Sequence, residues 1–249
     1  MYRYIGCCLL LALLLLGGIG SCYDSSKGGN KSAGSAHNSQ QSDEVARTNA
    51  DTGSDDTSGS PRETIYFGNY PQGANGEVEP IEWQVLRRDN EGLLVISKYA
   101  LDYQPYNEDL VDITWSQCTL RRWLNSEFIN QAFSESERAQ IKLMHLSNPN
   151  SKFDSDVPGG PATYDKIFCL SHDEALSLFA NDGQRQCYPT AYVKSQFAWT
   201  DDNGFCVWWL RSPGSSTRDA ACVYSGGGIY DFYVNDGSDA VRPAFFIAL

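Results

Sequence analysis

Between Tyr23 and Arg62 the chain carries only two large apolar side chains, Tyr23 and Val45, among Ser, Gly, Asn, Asp, Thr and Gln. Such a stretch cannot bury enough apolar surface to offset the entropy of ordering it. Folding is therefore confined to Glu63–Leu249, a length suited to one domain. As a Gly/Ser-type coil the polar stretch would reach roughly 35 Å. The composition ahead of it is the reverse. Arg3 makes a positive start, Cys7 to Leu16 is an unbroken apolar run, and Gly17-Gly18 breaks it before Ile19-Gly20-Ser21-Cys22. That run is shorter than the roughly 20 residues a membrane-spanning helix needs. It has the length of the apolar region of an export signal.

The Ile19-Gly20-Ser21-Cys22 ending resembles the lipobox of bacterial lipoproteins, in which the peptide is cut before the cysteine and the thiol receives diacylglycerol. The resemblance implies a signal peptide over residues 1–21, lipid on Cys22, a disordered tether over 22–62 and a single globular domain over 63–249. It implies a bacterial cell-envelope protein held to a membrane on its extracytoplasmic side. In that domain 25 Asp and Glu face 14 Lys and Arg, a net charge of −11. This excess disfavours nucleic acid and anionic head groups as partners. Neutral glycans, peptides, envelope proteins and cations remain.

Hydrophobic period outlines the domain. Thr64–Gly68 reads as a strand, and Ile81–Leu86 alternates apolar and polar before a turn into Leu93–Ser97, which predicts a hairpin. Leu120, Trp123, Leu124 and Phe128 recur at helical spacing within Trp115–Phe133. Ser134-Glu135-Ser136-Glu137 and Ser171-His172-Asp173-Glu174 are capping boxes for two further helices, and Pro189 suits the first turn of another. The tail returns to strands: Cys206–Leu210, Ala220–Tyr224 and Ile229–Val234 around a Ser225–Gly228 turn, then Val241–Leu249. Strands first, short helices in the middle and strands last predict an α+β domain whose terminal strands pair in one mixed or antiparallel sheet.

Chemistry-bearing residues are sparse. His145 and His172 are the domain's histidines, and Ser212 lacks a Gly-x-Ser-x-Gly setting, so no catalytic constellation is recognised. Asp201 and Asp202 in one turn, and Asn235, Asp236 and Asp239 in another, are weak candidates for calcium, since Asx-Gly is also ordinary turn chemistry. No cofactor is expected beyond that ion. Of the domain's cysteines, Cys118, Cys169, Cys187, Cys206 and Cys222, at least one is unpaired. Cys206–Cys222 is the pair that neighbouring strands favour, and buried free thiols acting as small hydrophobes are the preferred alternative. The tail aromatics are Trp199, Trp208, Trp209, Tyr224, Tyr230, Phe232 and Tyr233. Strand alternation sends Trp208 and Trp209 to opposite faces, one into the core and one toward solvent, a helix or a ligand groove. Trp208, Trp209, Tyr224, Tyr230 and Tyr233 are thus candidate ligand contacts. Arg211 and Arg242, at strand ends beside prolines, either clamp a ligand carboxylate or tie terminal strands to acidic side chains and carbonyls.

Tyr66–Gln72, Pro80–Leu86, Ser97–Asp102, Leu120–Asn125, Trp208–Gly214 and Val241–Ala244 resemble, in order, blocks of a bacterial family known as domain of unknown function 6273. The resemblance brings no functional residue. A remoter likeness, to C-type-lectin-like domains including the formylglycine-generating-enzyme-like branch, implies that architecture. The lectin Glu-Pro-Asn triplet and the paired active-site cysteines of that enzyme have no evident counterpart. The favoured function is a lipid-anchored extracytoplasmic binding module for a glycan, peptide or envelope protein. The alternatives are a cell-envelope enzyme of formylglycine-generating-like fold and a structural envelope component. Replacing Cys22 with Ala should release the protein from membranes or leave it unprocessed. Fractionation and intact-mass measurement check this, and unchanged anchoring would refute the lipobox reading.

Overall fold

The computed structural model describes residues 62–248 apart from 91 and 197. The expected signal peptide, Cys22 and the expected tether, except for Arg62 at its end, lie outside the described residues. The chain opens with an antiparallel meander of β1 (Thr64–Pro71), β2 (Val78–Asp89) and β3 (Gly92–Ser97). In β2, Ile81 and Trp83 are buried and the flanking Glu82 and Gln84 are not, the alternation expected of a sheet with one covered face. After the short β4 (Asp102–Tyr103), α1 (Thr119–Trp123) runs through a π-turn at Leu124–Phe128 into α2 (Ile129–Ala132). Leu120, Leu124, Phe128 and Ala132 make one buried ridge at a spacing of four. The ridge packs on β1, with the Tyr70 and Phe128 rings 5.1 Å apart.

The capping boxes form as read. Ser134 starts α3 (Glu135–Gln140) with Glu137 reaching back, and Ser171 starts α4 (His172–Leu178) with Glu174 doing the same. Between them lie β5 (Met144–Leu146), β6 (Thr163–Asp165) and β7 (Ile167–Phe168). Two short helices follow, α5 (Asp182–Arg185) and α6 (Ala191–Ser195). Thr190 caps α6 by accepting from the Val193 N–H, so Pro189 precedes the cap instead of sitting in the first turn. The chain ends in β8 (Trp208–Pro213), β9 (Asp219–Val223), β10 (Ile229–Tyr233), β11 (Ala240–Val241) and β12 (Ala244–Ile247).

These strands make an α+β domain with two five-stranded sheets, ordered β1-β2-β3-β12-β7 and β10-β9-β8-β11-β4, besides the β5-β6 pair. The terminal strands do meet in one sheet, where β12 lies antiparallel to β3 with Phe245 opposite Val95. The expected single closing strand, however, is divided at Arg242-Pro243: β11 belongs to one sheet and β12 to the other. Pro243 has no N–H to continue a ladder, while its carbonyl accepts from the Ser97 N–H at 3.0 Å. The chain therefore crosses between sheets at this point.

All five domain cysteines are free and buried. Cys206 does not meet Cys222. It lies just before β8, where its N–H donates to the Cys187 carbonyl at 2.9 Å. Cys222 instead sits in the ladder opposite Trp209 and Tyr230. Under the first sheet, Trp83 meets Phe245 edge-on at 4.6 Å and donates its indole N–H to the Phe67 carbonyl at 2.7 Å. Phe245 also touches Phe67 and Phe133. Phe245→Ala should cost about 3–5 kcal/mol through the cavity it leaves. Urea unfolding followed by tryptophan fluorescence measures the loss.

Candidate functional site

The two tryptophans in β8 go to opposite faces of the second sheet, and both faces are covered. Trp208 and Trp209 are 0% exposed. The Trp208 indole donates to the Arg185 carbonyl at 3.1 Å and its ring lies under the Arg242 guanidinium, 5.0 Å away. Trp209 donates to the Gln104 carbonyl at 2.9 Å and packs on Tyr106. Neither presents a surface to a ligand, because a layer of chain lies over each side.

Both arginines are likewise structural. Arg211 grips Glu174, with Nη2 donating to Oε1 at 2.9 Å and Nη1 to Oε2, and Nη1 also donates to the Cys169 carbonyl. Burial opposes ionisation of Glu174, yet the Arg211 guanidinium holds its carboxyl below the usual range. Arg242 donates to the carbonyls of Ser97 and Arg185 and to Gln84 Oε1. Each is buried, and each ties its terminal segment to an acidic side chain, an amide or carbonyls elsewhere in the fold.

The tyrosines divide by strand register. Tyr230 stands opposite Cys222 and Phe232 opposite Ala220, so these side chains share one face, whereas Tyr233 stands opposite Asp219 on the other. Tyr224, two residues beyond Cys222, continues the first face and meets Tyr230 edge-on at 5.5 Å. Trp199, from the loop before β8, stacks on Tyr224 at 5.7 Å. Trp199, Tyr224 and Tyr230 are 42%, 36% and 57% exposed, so together they form a continuous aromatic surface open to solvent. Phe232, half-buried, borders Tyr224. Trp199 was legible only as one of several tail aromatics, since the loop that carries it has no periodic signal.

The hairpin presenting this surface is fixed at its tip. Gly227 has φ +88°, and a Cβ there would lie 1.9 Å from the Asp182 carbonyl oxygen. That closeness lets Arg185 Nε donate to the Gly227 carbonyl at 2.8 Å, while Gln186 donates to the Ser225 carbonyl. The Trp199 N–H donates to the Ser238 carbonyl, which ties its loop to the segment entering β11.

That segment holds the acidic turn read as a weak calcium site. Asp236 Oδ1 accepts from both the N–H and the hydroxyl of Ser238, and Asp201 Oδ1 accepts from the N–H groups of Asn203 and Phe205. Both carboxylates are thus engaged in closing their turns. Among the described residues no group of three or more His, Cys, Asp or Glu is gathered around a common point for a metal. Asp239 is different in kind. It is 2% exposed, and its Oδ2 has no hydrogen-bond partner. Burial first, and then the neighbouring Asp236, push its carboxyl up to about 8. Ser212, the remaining nucleophile considered, accepts at its hydroxyl from the His172 N–H.

An α+β domain of two sheets with an exposed aromatic face on its C-terminal hairpin is the class of protein that emerges. The chain belongs to the family described as Domain of unknown function (DUF6273), which it matches over residues 90–249. The blocks Tyr66–Gln72 and Pro80–Leu86 lie ahead of the matched span. No curated protein and no solved structure gives a match.

Asp239 supplies a pH prediction. In the unfolded chain it ionises near its ordinary pKa of about 3.9, whereas in the fold it stays protonated up to about pH 8. The folded state binds the extra proton between these values, so its stability falls as pH rises through that window. Asp239→Asn, always neutral, should gain on the wild type by up to about 1.4 kcal/mol per pH unit there. Urea unfolding of both proteins at pH 5 and pH 8 reads the change.

Proposed function

We propose that this protein is a lipid-anchored binding module on the extracytoplasmic side of a bacterial envelope, with a C-type-lectin-like domain that holds a neutral glycan. The observation that carries the reading is the exposed Trp199–Tyr224–Tyr230 cluster, where Trp199 from the loop before β8 stacks on a β9–β10 hairpin braced from behind. Apolar rings left open on a well-packed domain mark an interaction surface. Their faces accept the C–H groups of a sugar ring, and the tyrosine hydroxyls meet its polar rim. The acidic excess of the domain turns away polyanions and does not penalise a neutral saccharide. The pairing of the closing strand with the N-terminal meander supports the lectin-like architecture. The lipid and the tether would hold this surface within tens of ångströms of the membrane.

On a glycan array the full chain should bind a neutral oligosaccharide class. Trp199→Ala and Tyr224→Ala should each weaken that binding about 3- to 10-fold, the worth of one aromatic contact. Tyr233→Ala, altered on the other face, should leave it unchanged. A blank glycan array beside a positive peptide array would replace the sugar with a peptide. An equal loss in all three variants would discard the aromatic face as the site.

A further inference from the structure

Two of the domain's cysteines, separated by 19 positions in sequence, are brought side by side. The Cys187 carbonyl accepts from the Cys206 N–H at 2.9 Å and from the Cys206 thiol at 3.3 Å. Two residues joined in this way lie in direct contact, close enough for a disulfide to span them once the two thiols turn toward each other. The Cys187 thiol itself donates to the Tyr188 and Lys98 carbonyls, at 3.5 and 3.7 Å.

Their surroundings set them apart from the remaining thiols. Cys118 is occupied at the start of α1, accepting from the Arg121 N–H and donating to the Trp115 carbonyl, and burial pushes it up to about 12. Burial likewise raises Cys169 and Cys222. For Cys187 burial works in the same sense, but the Cys206 thiol and the positive charge of Arg242 outweigh it and draw the group down. Cys206 is raised, chiefly by the Cys187 thiol and then by burial. Arg242 has a reason to favour a thiolate, since it is 1% exposed and its own hydrogen bonds go to neutral acceptors. One thiol poised to ionise beside another that keeps its proton is the arrangement of a reactive dithiol.

We propose that Cys187 and Cys206 form a redox-active dithiol that closes into a disulfide by exchange with a small-molecule disulfide. Cys187 loses its proton to solvent, and the thiolate attacks one sulfur of the incoming disulfide. A mixed disulfide forms and one small thiolate leaves. Cys206 then gives up its proton, and its sulfur attacks Cys187 Sγ and expels the second small thiolate. The two protons released by the protein end on the two departing thiols. The domain loses two electrons and two hydrogens, and the small disulfide gains them. Both thiols are buried, so the first attack requires local opening of the chain next to Cys187. After Cys187 and Tyr188 come Pro189, Thr190 and Ala191. These line a groove of about 290 Å³ together with Gln72, Glu79 and Tyr99. Closing the disulfide pins this wall, so the groove becomes redox-sensitive.

The test takes the folded full chain through a series of glutathione buffers of rising oxidised fraction, blocks remaining thiols with iodoacetamide and maps the peptides by mass spectrometry. The expected result is a Cys187–Cys206 linked peptide formed ahead of any other bridge, with a melting temperature higher by about 5–10 °C. Cys206→Ser should halt the reaction at a glutathione adduct on Cys187. Two results on the wild-type chain, which depend on no variant folding, would overturn the proposal. One is that both thiols stay alkylated in buffers that fully oxidise them after unfolding in urea. The other is that one of them bridges to Cys118, Cys169 or Cys222 instead.

Discussion

The Arg242 guanidinium, lodged where the chain passes from one sheet to the other, is the contact on which the rest of the fold depends. A buried cation is costly unless its donors are satisfied. Here Nε meets the Ser97 carbonyl at 2.9 Å, at the end of β3, and Nη2 meets Gln84 Oε1 at 3.0 Å, in β2. Nη1 turns toward the Arg185 carbonyl, at the end of α5. The flat face of the group lies on Trp208 of the other sheet. One side chain thus ties two sheets and a helix end at the place where Pro243 interrupts the ladder. Phe179 is shared between Arg242 and Arg62, whose guanidinium is held below its ordinary pKa by burial and by the charge of Arg242.

From that point the support runs outward to the surface. The Arg185 carbonyl accepts from both Arg242 and the Trp208 indole, while its own guanidinium holds the Gly227 carbonyl at the tip of the β9–β10 hairpin. The aromatic face therefore rests on a chain of contacts that begins in the core. Its rings are open, but the backbone beneath them is anchored at the tip by Arg185 and Gln186 and at the base by the β8–β9 ladder. Such a surface loses little conformational freedom on binding. The charge of Arg242 also acts on Cys187, so the tie between sheets and the proposed dithiol share one charge.

Much of the fold was legible because local chemistry and tertiary packing agree there. The capping boxes at Ser134 and Ser171 satisfy nearby backbone N–H groups within four residues, and the β2–β3 hairpin follows from alternation and a turn. The glycine turn at 225–228 announced a hairpin, and Gly227 does adopt positive φ. What stayed hidden was long-range. Strand alternation sent Trp208 and Trp209 to opposite faces, but whether a layer covers each face depends on segments such as 104–106 and 185, far away in sequence. The division of the closing strand at Pro243 was not legible, because a proline at a strand does not say that the next residues join another sheet. Trp199 and Cys187 lie in irregular segments where periodicity offers nothing to read.

By itself the sequence determined that the domain is α+β and where several of its helices and strands begin and end. These follow from composition, period and capping, all of which act over a few residues. Only the tertiary structure decided that the chain makes two sheets joined at Arg242, and that both β8 tryptophans are covered. It also decided that Trp199, Tyr224 and Tyr230 share an open face and that Cys187 lies against Cys206. Those outcomes depend on which distant backbone groups pair, because each buried donor must find an acceptor somewhere in the fold. No local pattern records that choice.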